Sequence, residues 1–441
     1  MNNKVQPKIL PGFMELLPQD QILFNKMYDT IRSTYERFGF LPLDTPTIEL
    51  SEVLLAKAGG ETEKQIYRFN KGENDLSLRF DLTVPLARYV AEHYNDLIFP
   101  FKRYQMSKVF RGERPQKGRF REFYQCDIDV IGNEFLDPIY DAEIPAIIYN
   151  VFKELKIPKF TISINNRKLL NGYVEYLNLS DKASDILRII DKLDKYDDNE
   201  KQFYDDLDSI NVSPEDFMRV KYIVTDITGS NTEKITKLKE LNTNNELFNT
   251  GLSELELIFD NLKYFDIPEE YCQIDLSIAR GLDYYTGTVY ETKIDDYPKL
   301  GSICSGGRYD NLTAYYTDQE LPGVGISIGL TRLFSQLMDA GIITSEKNGL
   351  IDALIIPLDK GNISYSLDIS SKLRDAGVNV DVYYLDKGMK QKMKYADRLN
   401  IPYVILIGED EVEKNLITLK DMIFGEQELM DVKSAINKLT K

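Results

Sequence analysis

The stretch FRGERPQKGRFREFYQCDID, residues 110–129, places a loop dense in positive charge between two strand-like ends. From Phe123 to Ile131 apolar and polar side chains alternate, which is the pattern of a strand with one buried face. The loop before it has glycine and proline where the chain must bend. We therefore expect two strands joined by a long basic loop.

The charge of this region is unusually one-sided for a surface hairpin. From Phe101 to Gln125 there are eight basic residues against two acidic ones. Arginine suits phosphate because its guanidinium group stays charged and can form two parallel hydrogen bonds. Phe123 offers a ring face to a base or to an arginine. The pattern predicts a phosphate site, and the alternative is a solvated charged hairpin.

A second stretch, ARGLDYYTGTVYE (279–291), carries one arginine, two adjacent tyrosines and two glycines before a β-prone run. A strand needs neither the arginine nor the glycines. A site that brings a cation and two phenols beside a small polar ligand needs all of them. The alternative is a strand and turn with a solvated arginine.

Two further stretches have weaker patterns. GVGISIGLTRL (323–333) lacks the spacing of a dinucleotide-binding fingerprint. We expect a strand running into a helix, with glycines that let adenosine lie against the backbone and with Arg332 near the polyphosphate. RFDLT (79–83) places a carboxylate and a hydroxyl at a strand end, and its alternative interpretation is a helix N-cap before Val84.

Together these stretches resemble the histidyl-tRNA synthetases, a family of class II aminoacyl-tRNA synthetases. Residues 110–129 are similar to motif 2 of that class, residues 323–333 to motif 3, and residues 279–291 to the histidine-specific run. Residues 38–46 resemble motif 1, which forms the dimer interface in this class, although a proline-containing edge strand explains them almost as well. The resemblance covers nearly the whole chain.

For ATP and tRNA, the resemblance implies contacts from motifs 2 and 3. Arg111 would bind the α-phosphate and the amino-acid carboxylate, and Mg²⁺ would accompany the ATP phosphates, with no tightly bound metal site in the protein. The remaining contacts are Glu113 with the adenine amino group, Phe123 stacked on adenine, Arg119 with the γ-phosphate, Arg332 with the polyphosphate and Gln116 with the tRNA acceptor end.

For histidine, the resemblance implies that Asp81, Leu82 and Thr83 hold the α-amino group, and a carboxylate is the right partner for an ammonium. Arg280 would flank the α-phosphorus together with Arg111. Thr331 stands where the family often has glutamate and receives no role. The run SGGRYD (305–310) matches a family run, which we expect to be a turn lining the site, without chemistry of its own.

The imidazole needs a pocket that accepts from one ring nitrogen and bonds the other. Asp129 points with Gln125 and Asp127 to one face of its strand, because side chains alternate with a period of two. Asp129 is the natural acceptor, although some relatives have glutamate there. Tyr284 and Tyr285 would supply hydroxyl groups.

Composition limits the other possibilities. The net charge of −17 disfavours nucleic-acid binding as a global property. Two local basic patches, residues 101–125 and 387–398, nevertheless suit a polyanion held at two places. The three cysteines form no CxxC pair, and the one histidine, His93, excludes a multi-histidine zinc site. No run is long and apolar enough to span a bilayer, and residues 1–18 lack the apolar core of a signal peptide. With no disulfide framework indicated by the cysteines, we expect a cytoplasmic protein without a membrane partner.

The order of patterns predicts two domains. Residues 1–340 predict an α+β class II catalytic core, with an antiparallel sheet and an acidic helical insertion at about 171–262. After a linker, residues 350–441 alternate strand and helix as a small, largely parallel α/β domain does. This part resembles the anticodon-binding domain of the subgroup, and its Lys390, Lys392 and Lys394 would meet the RNA backbone.

The resemblance thus implies ATP-dependent ligation of L-histidine to tRNA(His) through a histidyl-adenylate, by a homodimer. One alternative is the synthetase-like regulatory subunit of ATP phosphoribosyltransferase. That subunit typically lacks the C-terminal domain and an intact RGLDYY run, and both are present here. The other alternative is a synthetase for proline or threonine, against which Asp129 and residues 280–285 argue.

Overall fold

The structure is a computed structural model that describes residues 5–56, 61–114, 118–190, 200–278, 285–310, 312–345 and 349–440. Contacts divide the chain into two compact units. The first comprises Met1–Glu15 with Lys26–Ile342, and the second comprises Leu16–Asn25 with Ile343–Lys441. No helix in the described ranges is long and apolar enough to cross a membrane.

The first unit is built on an eight-stranded sheet. Its strands are β1 Leu41–Pro42, β5 Phe101–Phe110, β6 Glu122–Ile131, β7 Phe160–Asn166, β8 Cys272–Ile274, β9 Thr288–Ile294, β10 Cys304–Tyr309 and β11 Gly323–Ile328. Their order is β1-β5-β6-β11-β10-β9-β7-β8. The pairings from β5 to β7 are antiparallel, and only the outer pairs β1–β5 and β7–β8 are parallel. The predicted antiparallel α+β core is confirmed.

The basic loop joins β5 to β6, as predicted. The two strands pair in register from Phe101 with Ile131 to Phe110 with Glu122. A small second sheet has the order β2-β4-β3, with β2 Ile48–Leu50, β3 Arg68–Lys71 and β4 Asn74–Leu78. The run 305–310, predicted as a turn, instead lies mostly in β10, whose alternating residues face opposite sides of the sheet.

Helices cover the sheet and form the insertion. The helices outside the insertion are α1 Pro18–Arg37, α2 Ser51–Leu55, α3 Glu61–Gln65, α4 Thr83–Glu92, α5 Ile139–Glu154 and α12 Leu330–Asp339. The insertion, between β7 and β8, contains α6 Arg167–Tyr176, α7 Ala183–Ile190, α8 Glu200–Ser209, α9 Pro214–Lys221, α10 Asn231–Glu240 and α11 Glu246–Leu262. Helix α5 packs on β10 and β11 through an apolar face. The predicted helical insertion is therefore confirmed.

The second unit has a five-stranded sheet of order β13-β12-β14-β15-β16. Its elements are β12 Ala353–Pro357, α13 Ile363–Asp375, β13 Val380–Val382, α14 Met389–Arg398, β14 Tyr403–Ile407, α15 Glu409–Lys414, β15 Ile417–Asp421, β16 Gln427–Met430 and α16 Val432–Leu439. The predicted strand–helix alternation gives the parallel pairs of β12 with β13 and β14, and an antiparallel hairpin extends the sheet. One face of β12 packs on α13 and α16, the other on α14.

Candidate active site

A cavity of about 410 Å³ lies on the sheet of the first unit, where β6 and β11 form its floor. Strand β10 and residues of the loops around it complete the wall. The predicted site residues that line this cavity are Asp81, Thr83, Arg111, Glu113, Arg119, Phe123, Gln125, Asp129, Tyr285 and Arg332. Residues far apart in sequence therefore meet in one concave site.

The floor carries a buried carboxylate, Asp129, that has two protein partners. Arg103 Nη2 lies 2.6 Å from Asp129 Oδ2, and the hydroxyl of Tyr309 donates to Oδ1 at 2.8 Å. Burial raises the pKa of Asp129 to about 6, although Arg103 and Tyr309 oppose the rise. The acid predicted for the imidazole is thus present at the cavity, held from two sides.

A glycine makes room for this carboxylate. Gly325 pairs directly with Asp129 across β11 and β6. A Cβ atom at Gly325 would lie 2.3 Å from Asp129 Oδ1, closer than any side chain tolerates. The glycine was predicted to admit adenosine, and the structure shows that it admits the aspartate.

Two other polar residues of β6 face the same cavity and keep free acceptor atoms. Gln125 Nε2 donates to Ser327 Oγ at 2.8 Å, which leaves Gln125 Oε1 buried without a described partner. Asp127 is 3% exposed, and its Oδ1 also has no partner among the described residues. Burial raises the pKa of Asp127 to about 7, against the attraction of Arg103 and the Ser327 hydroxyl. Asp127 was not among the predicted site residues, although the two-residue period already placed it on this face.

Asp81 forms a contact at the start of a helix and also lies in the cavity lining. Its Oδ1 accepts from the backbone N–H of Val84 at 3.0 Å at the start of α4, and the same carboxylate lines the cavity. Burial raises its pKa, and the Val84 bond and the nearby Arg111 oppose that rise. The side chain of Leu82 is buried outside the cavity lining, but its carbonyl accepts from Arg103 Nη2 at 3.3 Å. Thr83 lines the cavity beside Asp81.

Arg111 directly follows the C-terminal end of β5, and two contacts orient its guanidinium group. Its Nε donates to the carbonyl of Phe80 at 3.0 Å, and its Cζ lies 5.1 Å from the centre of the Phe123 ring. Its Nη1 and Nη2 have no hydrogen bond to a described residue. One hydrogen bond to the backbone and one contact with an aromatic ring therefore orient the guanidinium group of Arg111.

Three charged groups gather at the other end of the cavity. Arg119 Nη1 lies 3.5 Å from Glu113 Oε2, and Arg332 Nη2 donates to the carbonyl of Leu300 at 3.1 Å. Burial and the neighbouring Arg119 both lower the pKa of Arg332. Thr331, which received no role, accepts from the backbone N–H of Tyr124 at 2.8 Å and so joins α12 to β6. No described carboxylate pairs with Arg332, and an unpaired positive charge at this end of the cavity suits a polyanion.

Some predicted residues lie outside the described part of the chain, namely Arg280, Tyr284 and Gln116. Their neighbour Tyr285 lines the cavity. Among the described residues, no group of three or more His, Cys, Asp or Glu side chains could hold a metal ion. His93 follows α4 with its side chain partly exposed, and it does not line the cavity.

The lysines of α14 do not form one surface. Lys390 and Lys394 are exposed, whereas Lys392 is 6% exposed and its Nζ donates to the carbonyl of Pro357 at 2.8 Å. The prediction that Lys392 presents its charge to RNA is therefore wrong for this structure. It lies four residues before the buried Ala396, on the face of α14 that packs on the sheet.

Comparisons with known proteins cover nearly all of the chain. A family model for histidyl-tRNA synthetase matches residues 12–333, and a model for an anticodon binding domain matches residues 352–441. A histidine–tRNA ligase of Clostridium tetani is 57% identical, with 98% of each chain covered. A histidine–tRNA ligase of Finegoldia magna is 47% identical and covers 99% of this chain and 100% of its own.

Solved structures agree with these sequence matches. Histidyl-tRNA synthetase from Nostoc sp. PCC 7120 superposes with a TM-score of 0.89 at 40% identity, covering 99% of both chains. A Bacillus halodurans protein described as an ATP phosphoribosyltransferase regulatory subunit/histidyl-tRNA synthetase gives a TM-score of 0.74 at 22% identity, covering 92% of this chain and 99% of its own. At 22% identity, the likeness to the Bacillus halodurans protein is one of fold alone.

Proposed function

The chain belongs to the histidyl-tRNA synthetase family, and from that premise we propose a role for each residue of the site. Its activity is that of a histidine–tRNA ligase, which joins L-histidine to tRNA through a histidyl-adenylate and forms AMP and diphosphate. The observation that carries this conclusion is the 57% identity to such a ligase over 98% of the chain. The regulatory-subunit alternative has less support, because the matched fold of that kind is only 22% identical.

The first step needs orientation and charge rather than a general base. The histidine carboxylate is already ionised and attacks the α-phosphorus of ATP directly. Catalysis is then the positioning of two reactants and the neutralisation of charge that develops on the phosphate. Arg111, held by Phe80 and Phe123, directs to that phosphate its two Nη groups, which bond no described residue, and Arg280 is assigned the opposite side.

Histidine lies across the floor of the cavity. The buried carboxylate of Asp81, with Thr83 beside it, pairs with the α-ammonium group. The backbone of Leu82 completes this turn. Asp129 and Gln125 take the imidazole from β6, and Tyr285 with Tyr284 closes the ring pocket.

ATP occupies the end of the cavity that holds Arg119 and Arg332. Glu113 reads the adenine amino group and Phe123 stacks on the base. The two arginines meet the outer phosphates, and Mg²⁺ enters with ATP as part of the substrate complex. Carboxylate, ring and cations line one continuous cavity, which supports this assignment.

tRNA contacts both parts of the chain in this proposal. The loop around Gln116 meets the acceptor end, and the domain 350–441 binds the anticodon region with Lys390 and Lys394. The catalytic domain comprises residues 1–340, including the insertion at 171–262. The protein acts in the cytoplasm as a homodimer through residues 30–50, where Leu41, Ile48 and Leu50 are exposed although apolar.

Histidine-dependent exchange of pyrophosphate into ATP tests the proposal most directly. A site that places buried polar groups for imidazole rejects amino acids that leave those groups unpaired, by a factor on the order of 10⁴. We expect exchange with histidine and none above background with proline or threonine. Equal exchange with either of these would contradict the assignment, and light scattering that gives an active monomer would contradict the homodimer.

A further inference from the structure

On the cavity floor formed by β6, where the proposed function places the imidazole ring, the described side chains carry more negative than positive charge. Asp127 and Asp129 stand two residues apart on β6, both nearly fully buried. Within the described ranges the cation paired with them is Arg103, which is 0% exposed and bonds Asp129. One carboxylate therefore has no countercharge of its own among the described residues.

The unbalanced carboxylate is Asp127. Its neighbours across the sheet are Gln105 on β5 and Ser327 on β11, both neutral. Its Oδ1 has no hydrogen-bond partner in the described chain, although the residue lines the cavity. Buried carboxylate oxygens without a donor are costly, so a ligand that supplies a donor and a positive charge would be bound strongly.

We propose that the substrate's ring binds as the imidazolium cation, with Asp127 Oδ1 accepting one of its two N–H groups. This deepens the proposed function and rests on it, because it presumes that histidine occupies the cavity. Asp129, fixed by Arg103 and Tyr309, keeps lone pairs toward the second ring nitrogen. Asp127 is thus a residue that determines both specificity and the protonation state of the bound ring.

The proton balance follows from the groups around the ring. The charged and titratable described groups around Asp127 include Tyr35, Asp81, Arg103, Arg111, Cys126, Asp129, Tyr285 and Tyr309. The thiol of Cys304 also lines the cavity and stays neutral because burial raises its pKa. Burial sets the pKa of Asp127 at about 7 and that of Asp129 at about 6 in the free protein, so both are ionised at alkaline pH.

The sign of the pH dependence is then fixed. At about pH 8 the free histidine ring, with a pKa near 6.5, is neutral, so binding takes up about one proton from solvent. Affinity for histidine falls roughly tenfold per pH unit above neutrality. Below about pH 6 the protonated Asp127 must release its proton on binding, so affinity falls there as well.

Titration calorimetry with L-histidine and the full-length protein at about pH 8, in two buffers of different ionisation enthalpy, measures this uptake. We expect close to one proton per histidine bound. The analogue β-(1,2,4-triazol-3-yl)-L-alanine has the same α-amino group but a far less basic ring, so it should bind without uptake. Histidine binding without proton uptake overturns the proposal, whereas absence of any histidine binding overturns the proposed function instead.

Three variants test whether Asp127 causes the proton uptake. In Asp127→Asn we expect uptake near zero and a dissociation constant for histidine raised about tenfold to a hundredfold near pH 7. Glu122→Gln is the matched control, because it removes a carboxylate of β6 that pairs with Lys108 outside the cavity, and it should keep full uptake. If a folded Asp127→Asn protein still takes up a full proton on histidine binding, Asp127 is not the group that stabilises the imidazolium ring.

Ser327→Ala keeps the carboxylate of Asp127, and it provides a second test if the Asp127→Asn protein does not fold. It removes a hydroxyl that lowers the pKa of Asp127. Asp127 should then hold more of the proton before histidine binds, so uptake at about pH 8 should be smaller than in the wild type. Unchanged uptake in this variant would contradict the assignment.

Discussion

The basic loop between β5 and β6 and the basic helix α14 present positive charge in different ways. In the loop, Arg111 is held by the Phe80 carbonyl and the Phe123 ring, and Arg121 Nε donates to the carbonyl of Glu113 at 2.9 Å. On the helix, Lys390 and Lys394 extend into solvent. The first region fixes the direction of its hydrogen bonds, and the second supplies mobile point charges.

Under the proposed function, the difference corresponds to two tasks in one enzyme. Activation of histidine requires donors aimed at one phosphorus atom, which a preorganised guanidinium fork provides. Holding an RNA backbone requires charge spread along a surface, and exposed lysines provide it at little structural cost. Substitutions in each region distinguish dependence on hydrogen-bond geometry from dependence on charge alone.

The largest effect is expected at Arg111. Arg111→Ala should lower the rate of pyrophosphate exchange by about 10² to 10³, because one preorganised donor to the transition state is lost. The Michaelis constant for ATP should change much less, because the loss falls on the transition state. Steady-state exchange at saturating histidine measures both constants.

The matched control for Arg111 is Arg114→Ala. Arg114 is exposed on the same loop and does not line the cavity, so exchange without tRNA should stay near the wild-type rate. An equal loss in both variants would mean that the net charge of the loop matters and not the direction of one fork.

The next effect separates binding from folding at Asp81, which lines the same cavity as Arg111. Asp81→Asn keeps an oxygen for the Val84 N–H but loses the charge that meets the ammonium group. The Michaelis constant for histidine should rise roughly tenfold to a hundredfold with little change in melting temperature. Asp81→Ala should in addition lower the free energy of unfolding by about 1 kcal/mol, because the cap of α4 is lost. A large destabilisation by Asn would assign Asp81 to structure only.

Sequence patterns predicted the face of β6 but not the state of its carboxylates. A period of two places Gln125, Asp127 and Asp129 together. Which acid is already paired depends on Arg103 of β5 and Tyr309 of β10, which the sheet register brings opposite and near Asp129. Such long-range pairing has no local signal in one sequence, so the sequence alone does not show which of Asp127 and Asp129 is paired.

The lysines of α14 show the opposite error, because a local signal was present. Lys392 and Ala396 are four residues apart and share one helix face, and Ala396 is apolar. The helical period thus places Lys392 toward the sheet, where its Nζ donates a hydrogen bond to the carbonyl of Pro357. The count of basic residues alone could not separate buried from solvated charge.

A moderate effect is expected from the exposed lysines. Changing Lys390 and Lys394 together to alanine should raise the Michaelis constant for tRNA about tenfold and reduce the slope of log affinity against log salt by about one to two. Pyrophosphate exchange should stay unchanged. Aminoacylation at several salt concentrations measures the slope.

Lys392→Met is the matched control for that pair. It removes a buried ammonium, so it should alter melting temperature while leaving the salt slope intact. If the Lys390 and Lys394 variant loses exchange and keeps its tRNA affinity, the second unit serves stability or assembly, and its RNA-binding role is wrong.

The smallest effect is expected at Arg119, and it compares one substitution at two positions of the same loop. The Arg119 side chain is 61% exposed and its carboxylate neighbour lies 3.5 Å away, so neither packing nor a short bond fixes its fork. Arg119→Lys keeps the charge, and exposed charge contacts of this kind contribute about 0.2 to 1 kcal/mol, so the Michaelis constant for ATP should rise no more than about fivefold. Arg111→Lys should instead lose most of the exchange rate, because a lysine cannot bond Phe80, stack on Phe123 and reach the phosphate with a planar fork. If the two lysine variants are equally active, the loop acts through charge alone, as α14 does, and the contrast between the two regions does not hold.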